Sequence, residues 1–130
     1  MSRRYFVRPG DVEPYSPANH RGTVNRRLIG RETVGARNLE VLHGTIEPGS
    51  GALPHAHRGI EQVCYVLDGR AVAEVDGQRQ ELVPGDCCFF PADVPHVLTA
   101  VGTTPLRLLV VYSPPYEEDP ARALRSGGAA

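Results

Sequence analysis

The sequence predicts an all-β protein of the sandwich or barrel type, folded as one domain. Short runs of strand-forming residues recur along the chain, with turn signals about every 8 to 12 residues. The 14 glycines and 12 prolines stand singly between these runs, a spacing untypical of a helical bundle. A length of 130 residues suits one compact core.

The first strand is expected at residues 23–29, inside a polar, proline-containing arm that covers residues 1–30 and contributes this one edge strand. Residues 31–116 are expected to form the barrel. Residues 117–130, which end in a Ser-Gly-Gly-Ala-Ala segment, are expected to be a flexible C-terminal tail. Seven further strands are predicted within the barrel, at residues 39–46, 62–67, 71–75, 80–83, 87–90, 97–101 and 106–112.

Turn signals mark the ends of these strands. Pro48-Gly49 is expected to end the second strand. The dipeptides Asp68-Gly69 and Asp76-Gly77 are typical of tight hairpin turns, because both residues of the pair tolerate a positive φ. The sequence therefore predicts antiparallel neighbours joined by short connections.

Composition excludes several classes of function. All 14 basic residues are arginine, which removes any chemistry that needs a Schiff-base or phosphate-loop lysine. The net charge of -1 is scattered, so we expect no nucleic-acid partner. No apolar run approaches the length of a membrane span or a signal core, which predicts a cytoplasmic protein without a membrane partner. An odd number of cysteines, three, fits a reducing compartment.

Three histidines predict a metal site. His55 and His57 are two residues apart, and in a strand such residues face the same side. His96 follows a second proline-bounded segment. Three imidazoles with a carboxamide or carboxylate suit Fe, Mn, Ni, Co or Zn. We therefore expect one divalent transition metal ion per chain, of unspecified identity.

Around these histidines the sequence resembles the two motifs of the cupin superfamily. The first motif matches Gly49, His55, His57, Glu61 or Gln62, and Gly69. The second matches Gly85, Pro91 and His96, but has Asp93 in place of a glycine and Ala100 in place of an asparagine. The resemblance implies a small single-domain cupin with a jelly-roll barrel, or double-stranded β-helix, a small-molecule substrate and a homodimer.

The fourth metal ligand is predicted to be Gln62 rather than Glu61. Six residues separate Gln62 from Gly69, as in the family motif, and strand alternation places Gln62 on one face with Cys64. A one-residue adjustment before the strand would select Glu61 instead. The arrangement of three His and one Gln resembles a subset of small cupins, including one that acts on unsaturated uronates in pectin degradation.

A neutral ligand set leaves the full charge of a divalent ion at the site, which favours polarisation of a carbonyl or enol oxygen. We therefore expect an isomerase, tautomerase or lyase acting on a small keto-enol, uronate or sugar-derived substrate. His43 is a candidate proton carrier, and Arg107, in an otherwise apolar strand, is a candidate carboxylate clamp. His43 also suits a plain surface or core role, and Arg107 suits an interface or edge-strand charge. An Fe(II)-dependent dioxygenase and a non-catalytic small-ligand-binding or sensing protein are the alternatives.

Overall fold

The computed structural model describes residues 4–17, 20–52, 54–117 and 123–125. Its strands are, in chain order, β1 (His20–Ile29), β2 (Glu40–Ala52), β3 (His55–His57), β4 (Glu61–Asp68), β5 (Arg70–Val75), β6 (Gln78–Leu82), β7 (Cys87–Phe90), β8 (His96–Val101), β9 (Leu106–Ser113) and β10 (Ala123–Arg125). A 3-10 turn at Pro9–Asp11 and one helical turn, α1 (Arg31–Val34), complete the described secondary structure. Among the described residues, no helix has the length and apolar character needed to cross a bilayer.

The strands form one antiparallel sheet rolled into a nearly closed barrel, which confirms the predicted all-β jelly-roll fold. The hydrogen-bonded order runs β10-β3-β8-β2-β9-β4-β7. Strand β1 adds to β2, and the β5–β6 hairpin adds to β8 through β5. This rolling brings β3, β4 and β8, which carry the predicted metal ligands, around one interior.

Strand β2 is longer than predicted, because Pro48-Gly49 does not end it. Its first part pairs with β9 from Glu40 to Ile46, and its last part pairs with β8 at Gly51. Gly51 lies with its φ at 154° against the backbone of Leu98, where a side chain would collide. The glycines therefore bend one continuous strand from one partner to another, and the prediction of a turn there was wrong.

The core lies inside the barrel and is built by strand alternation. In β4 the buried residues are Gln62, Cys64 and Val66, whereas Glu61 and Tyr65 are exposed. The same alternation in the neighbouring strands closes one apolar cluster, which includes Leu42, Ile46, Ile60, Ala71, Phe90, Ala100, Leu106, Leu108 and Val110. Because this cluster fills part of the barrel, the histidines lie in an apolar, water-poor environment.

Two terminal segments attach to the barrel. Strand β1 belongs to the predicted N-terminal arm and pairs with β2, and the Arg26 guanidinium donates hydrogen bonds to the Pro9 and Val12 carbonyls, which holds the preceding segment on the sheet. Within the predicted C-terminal tail, β10 pairs with β3 along its three residues. Residues 118–122 and 126–130 of that tail lie outside the described residues.

A buried ion pair ties both ends of the chain to β2. Glu40 is fully buried, and its Oε2 lies 3.1 Å from Nε of Arg27, on β1. Its Oε1 accepts hydrogen bonds from the backbone N–H groups of Tyr116 and Glu117, at 2.9 and 3.0 Å. Arg27 also contacts Glu32 at 2.7 Å. One carboxylate thus fastens β1 and the segment that follows β9 to the same strand.

Candidate metal centre

His55, His57 and His96 form one cluster inside the barrel. A nitrogen from each of the three imidazoles lies within 4.8 Å of the others. The ring centroids are 4.8 Å apart for His55 and His57, 4.6 Å for His55 and His96, and 5.2 Å for His57 and His96. Two short strands produce this spacing, because His55 of β3 is paired directly with His96 of β8.

The donor atoms in this cluster suit a metal ion. Both ring nitrogens of His57 and Nε2 of His96 are buried and make no hydrogen bond of good geometry among the described residues. Burial, followed by the proximity of His55, lowers the pKa of His57 and of His96 to about 3. The imidazoles of His57 and His96 therefore stay neutral, which is the form that binds transition metals.

Gln62 lies beside the cluster, whereas Glu61 is exposed on the other face of β4. The Gln62 amide donates to Sγ of Cys64 at 3.3 Å, and its Oε1 is buried with no hydrogen-bond partner among the described residues. An interaction with the same amide partly offsets the lowered pKa of His57. Gln62 thus presents a buried amide oxygen beside the histidine cluster, as the predicted strand register requires.

Aromatic rings and one turn hold the histidines in place. Phe90 stacks on His96 with centroids 4.1 Å apart and ring planes 2° apart, and Tyr116 packs against His57 at 4.6 Å. The backbone carbonyl of His57 accepts from the N–H of Asp93, whose carboxylate in turn accepts from the Gly59 N–H. Asp93, which replaces the motif glycine, has a φ of 67° and braces the turn after His57.

His20 is a fourth histidine in this cavity, and the sequence did not indicate it. Its ring lies 5.8 Å from that of His55, and burial with His55 nearby lowers its pKa to about 4. Thr23 and Asn25 on the same strand also line the cavity. Simple alternation would place His20 and Thr23 on opposite faces. A register shift between Arg21 and Thr23 brings His20 and Thr23 to the same side. The residue at this shift is Gly22, whose φ is positive, and a glycine there is the one local sequence feature that indicates a bulge.

The structure does not place His43 or Arg107 among the described residues that line the cavity. Both lie on the outer face of the sheet, because their strand neighbours Gly44 and Leu108 line the cavity instead. Arg107 is exposed. The sequence could not decide the face, since apolar residues occupy both sides of β2 and β9.

The cavity beside the histidines is small and carries no acidic or arginine side chain among its described lining residues. Its free volume is about 40 Å³, enough for an ion and a few small atoms. The lining combines histidines and amides with apolar side chains. A cation held there would not be neutralised by a carboxylate of the lining, and an anionic ligand would not be repelled by one.

The sequence model of the cupin domain matches residues 42–112, more than half of the chain. This protein is a cupin. The matched segment contains His55, His57, Gln62 and His96, whereas β1 lies entirely outside it.

This cupin is similar to proteins of different function. It is 27% identical to an oxalate-binding protein of Thermotoga maritima, over 81% of this chain and 90% of that protein. It is 34% identical to the Bacillus subtilis quercetin 2,3-dioxygenase, over 71% of this chain but only 26% of that protein. A sugar phosphate isomerase structure from Silicibacter pomeroyi matches with a TM-score of 0.71 and 25% identity, over 82% of this chain and 74% of that chain. The family therefore leaves the reaction open.

Proposed function

We propose that this cupin is an enzyme that uses one divalent transition metal ion, Fe, Mn, Ni, Co or Zn, as a Lewis acid on a small oxygenated substrate. His55, His57, His96 and Gln62 would hold the ion. The reaction would be an isomerisation, tautomerisation or lyase-type cleavage of a keto-enol, uronate or sugar-derived compound. The observation that carries this proposal is that three imidazoles and one amide, with no carboxylate, share one site, in which buried donor atoms of His57, His96 and Gln62 have no hydrogen-bond partner among the described residues.

When bound, a divalent ion would supply Lewis acidity toward a carbonyl or enol oxygen. The chain's own contribution would be a lining that does not reduce the positive charge of the ion. No carboxylate lies among the described residues that line the cavity, so no protein charge offsets the ion. Phe90 and Tyr112 are buried in the cavity wall, where they exclude water and hold the space near the histidines apolar.

The test begins with elemental analysis of untagged protein, purified with and without air. Turnover is then measured on a panel of uronates, β-diketones and hydroxy-keto acids under both conditions. We expect about one metal ion per chain and activity that persists without oxygen and after exchange among Fe, Mn, Co, Ni and Zn. Stoichiometric oxygen uptake coupled to substrate loss would contradict the Lewis-acid proposal.

The second candidate function is an Fe(II)-dependent dioxygenase using the same four side chains. The 34% identity to a quercetin 2,3-dioxygenase favours it. A third candidate is non-catalytic binding of a small ligand, favoured by the similarity to an oxalate-binding protein. Oxygen uptake limited to the iron-loaded protein would select the second candidate. Tight oxalate binding with no turnover of any compound in the panel would select the third.

We propose that a second copy of the chain covers the outer face of the sheet. Tyr65 and Phe89, on neighbouring strands, are 42% and 48% exposed there, and Val24 is 46% exposed on the same side. An exposed apolar surface of this kind is typical of an interface, and most such assemblies are symmetric dimers. Light scattering should give twice the chain mass, and Phe89→Asp should reduce it to one chain.

A further inference from the structure

Strand β1 forms one wall of the cavity although it lies outside the matched cupin segment. Three of its polar residues, His20, Thr23 and Asn25, line the cavity, and the last two are buried. Buried polar side chains that face a cavity are costly unless they have partners there. This wall thus adds hydrogen-bonding groups to a space that otherwise contains the metal ligands and apolar residues.

His20 stands slightly apart from the three clustered histidines. Its ring is 5.8 Å from that of His55, whereas the three rings of the cluster are 4.6 to 5.2 Å apart. Its Nδ1 is buried and has no hydrogen-bond partner among the described residues. His20 is not part of the group whose three nitrogens lie within 4.8 Å of one another, so we assign it to a ligand beside that group.

Asn25 is held in the wall by its backbone and by a glycine opposite. Its N–H and carbonyl both hydrogen-bond to the backbone of Tyr15, at 2.7 and 2.9 Å. Gly44 is its partner on β2, and a Cβ there would lie 2.9 Å from Oδ1 of Asn25. The missing side chain at position 44 therefore makes room for the Asn25 amide on the inner face of the sheet.

We propose that the inner face of β1 is the substrate-binding wall, where His20 and Asn25 donate hydrogen bonds to the oxygens of a small carboxylate or enolate. This inference rests on the proposed metal centre, whose positive charge would attract such an anion. An anion fits because the described lining contains no acidic side chain, and a small one fits the free volume of about 40 Å³.

The test titrates glycolate, a small hydroxycarboxylate, into the Co²⁺-loaded full chain and follows the visible spectrum of the ion. His20→Ala and Asn25→Asp should each weaken glycolate binding about tenfold or more, with Co²⁺ content unchanged. The first loses a donor and the second adds a repelling charge. His20→Gln keeps an N–H group and should restore most of the affinity.

Two matched variants control for position. His43→Ala removes a histidine on the outer face, and Gln80→Glu converts an exposed amide into a carboxylate, so both should bind glycolate like the unaltered protein. Unchanged affinity in His20→Ala and Asn25→Asp would overturn the inference, as would loss of Co²⁺ from His20→Ala. A protein that takes up Co²⁺ but never binds glycolate contradicts only this inference. One that takes up no Co²⁺ contradicts the metal centre as well.

Discussion

Two clusters of buried polar side chains lie in this barrel, and they differ in what completes them. In the first, Glu40 has an ion-pair partner in Arg27 and accepts two backbone hydrogen bonds. In the second, His57, His96 and Gln62 keep buried donor or acceptor atoms with no hydrogen-bond partner among the described residues. The Glu40 charge is thus compensated within the chain, although Arg27 Nε and Glu40 Oε2 form an ion pair without good hydrogen-bond geometry. The buried nitrogens of His57 and Nε2 of His96 have no compensating group of this kind among the described residues.

We therefore expect the first cluster to contribute mainly to stability and the second mainly to ligand binding. Removing a partner from the first cluster leaves a buried charge, which costs free energy of folding. Removing a side chain from the second cluster takes away a candidate metal-binding group and leaves fewer buried polar atoms without a hydrogen-bond partner. Variants in the two clusters should therefore change different measurements, and the following predictions test this separation.

The largest effect is expected for His96→Ala. Loss of one of three imidazoles should reduce metal content from about one ion per chain to nearly none. Metal analysis checks this, with circular dichroism as the measure of folding and His43→Ala as the control that keeps its metal. His55→Ala, at a less buried position, provides a second measurement if His96→Ala unfolds. Full metal content in a folded variant of either kind would contradict the metal centre.

Glu40→Gln should lower stability and leave metal content unchanged, the reverse of what we expect for His96→Ala. It leaves Arg27 without its buried partner and should lower the free energy of unfolding by about 2 kcal/mol, less than for a fully buried pair because Arg27 keeps Glu32 and some exposure. Urea unfolding of the metal-free protein measures this loss. Metal content at 4 °C should stay at the unaltered level. A variant that keeps its stability but loses metal would remove the distinction between the clusters.

Gln62→Glu sharpens the assignment of the fourth ligand. An added negative charge should tighten metal binding roughly tenfold and lower the activity, because the ion becomes less electrophilic. Competition with a metal indicator measures the affinity. Glu61→Gln changes an exposed neighbour and should alter neither property. If Glu61→Gln strips the metal while Gln62→Ala retains it, the assumed register of β4 is wrong by one residue.

The smallest effect is expected for Arg27→Lys. Arg27 reaches Glu32 with one nitrogen and Glu40 with another, and lies over the Tyr15 ring. A lysine has one compact charge and cannot make both ion pairs with this geometry, so the variant should lose about 1 kcal/mol of stability. Thermal unfolding at several salt concentrations checks the value. A change in glycolate affinity would show that the first cluster also shapes the cavity.

Local pattern was sufficient for much of the fold and for the centre of the site. Strand-forming runs predicted eight of the ten described strands, and β7 was predicted at its observed bounds. Strands β3 and β10 were not among them. The single residue between the two imidazoles of the His-x-His pair places His55 and His57 on one strand. Counting from Gly69 and strand parity both selected Gln62, the residue that the structure places next to the histidines.

Other features depend on contacts between distant segments, which no local period encodes. A bulge at Gly22 turns His20 inward, and Glu40 meets Tyr116 across 76 positions of the chain. Strand β2 has apolar residues on both faces, so its sequence does not show which face lies inside the barrel. Barrel closure decides this and places His43 on the outer face. The sequence by itself thus determined most of the strands and the pairing of His55 with His57 on one face, because both follow from short-range periodicity. Tertiary structure alone decided which further polar groups share the cavity, because bulges, register and barrel closure set that arrangement.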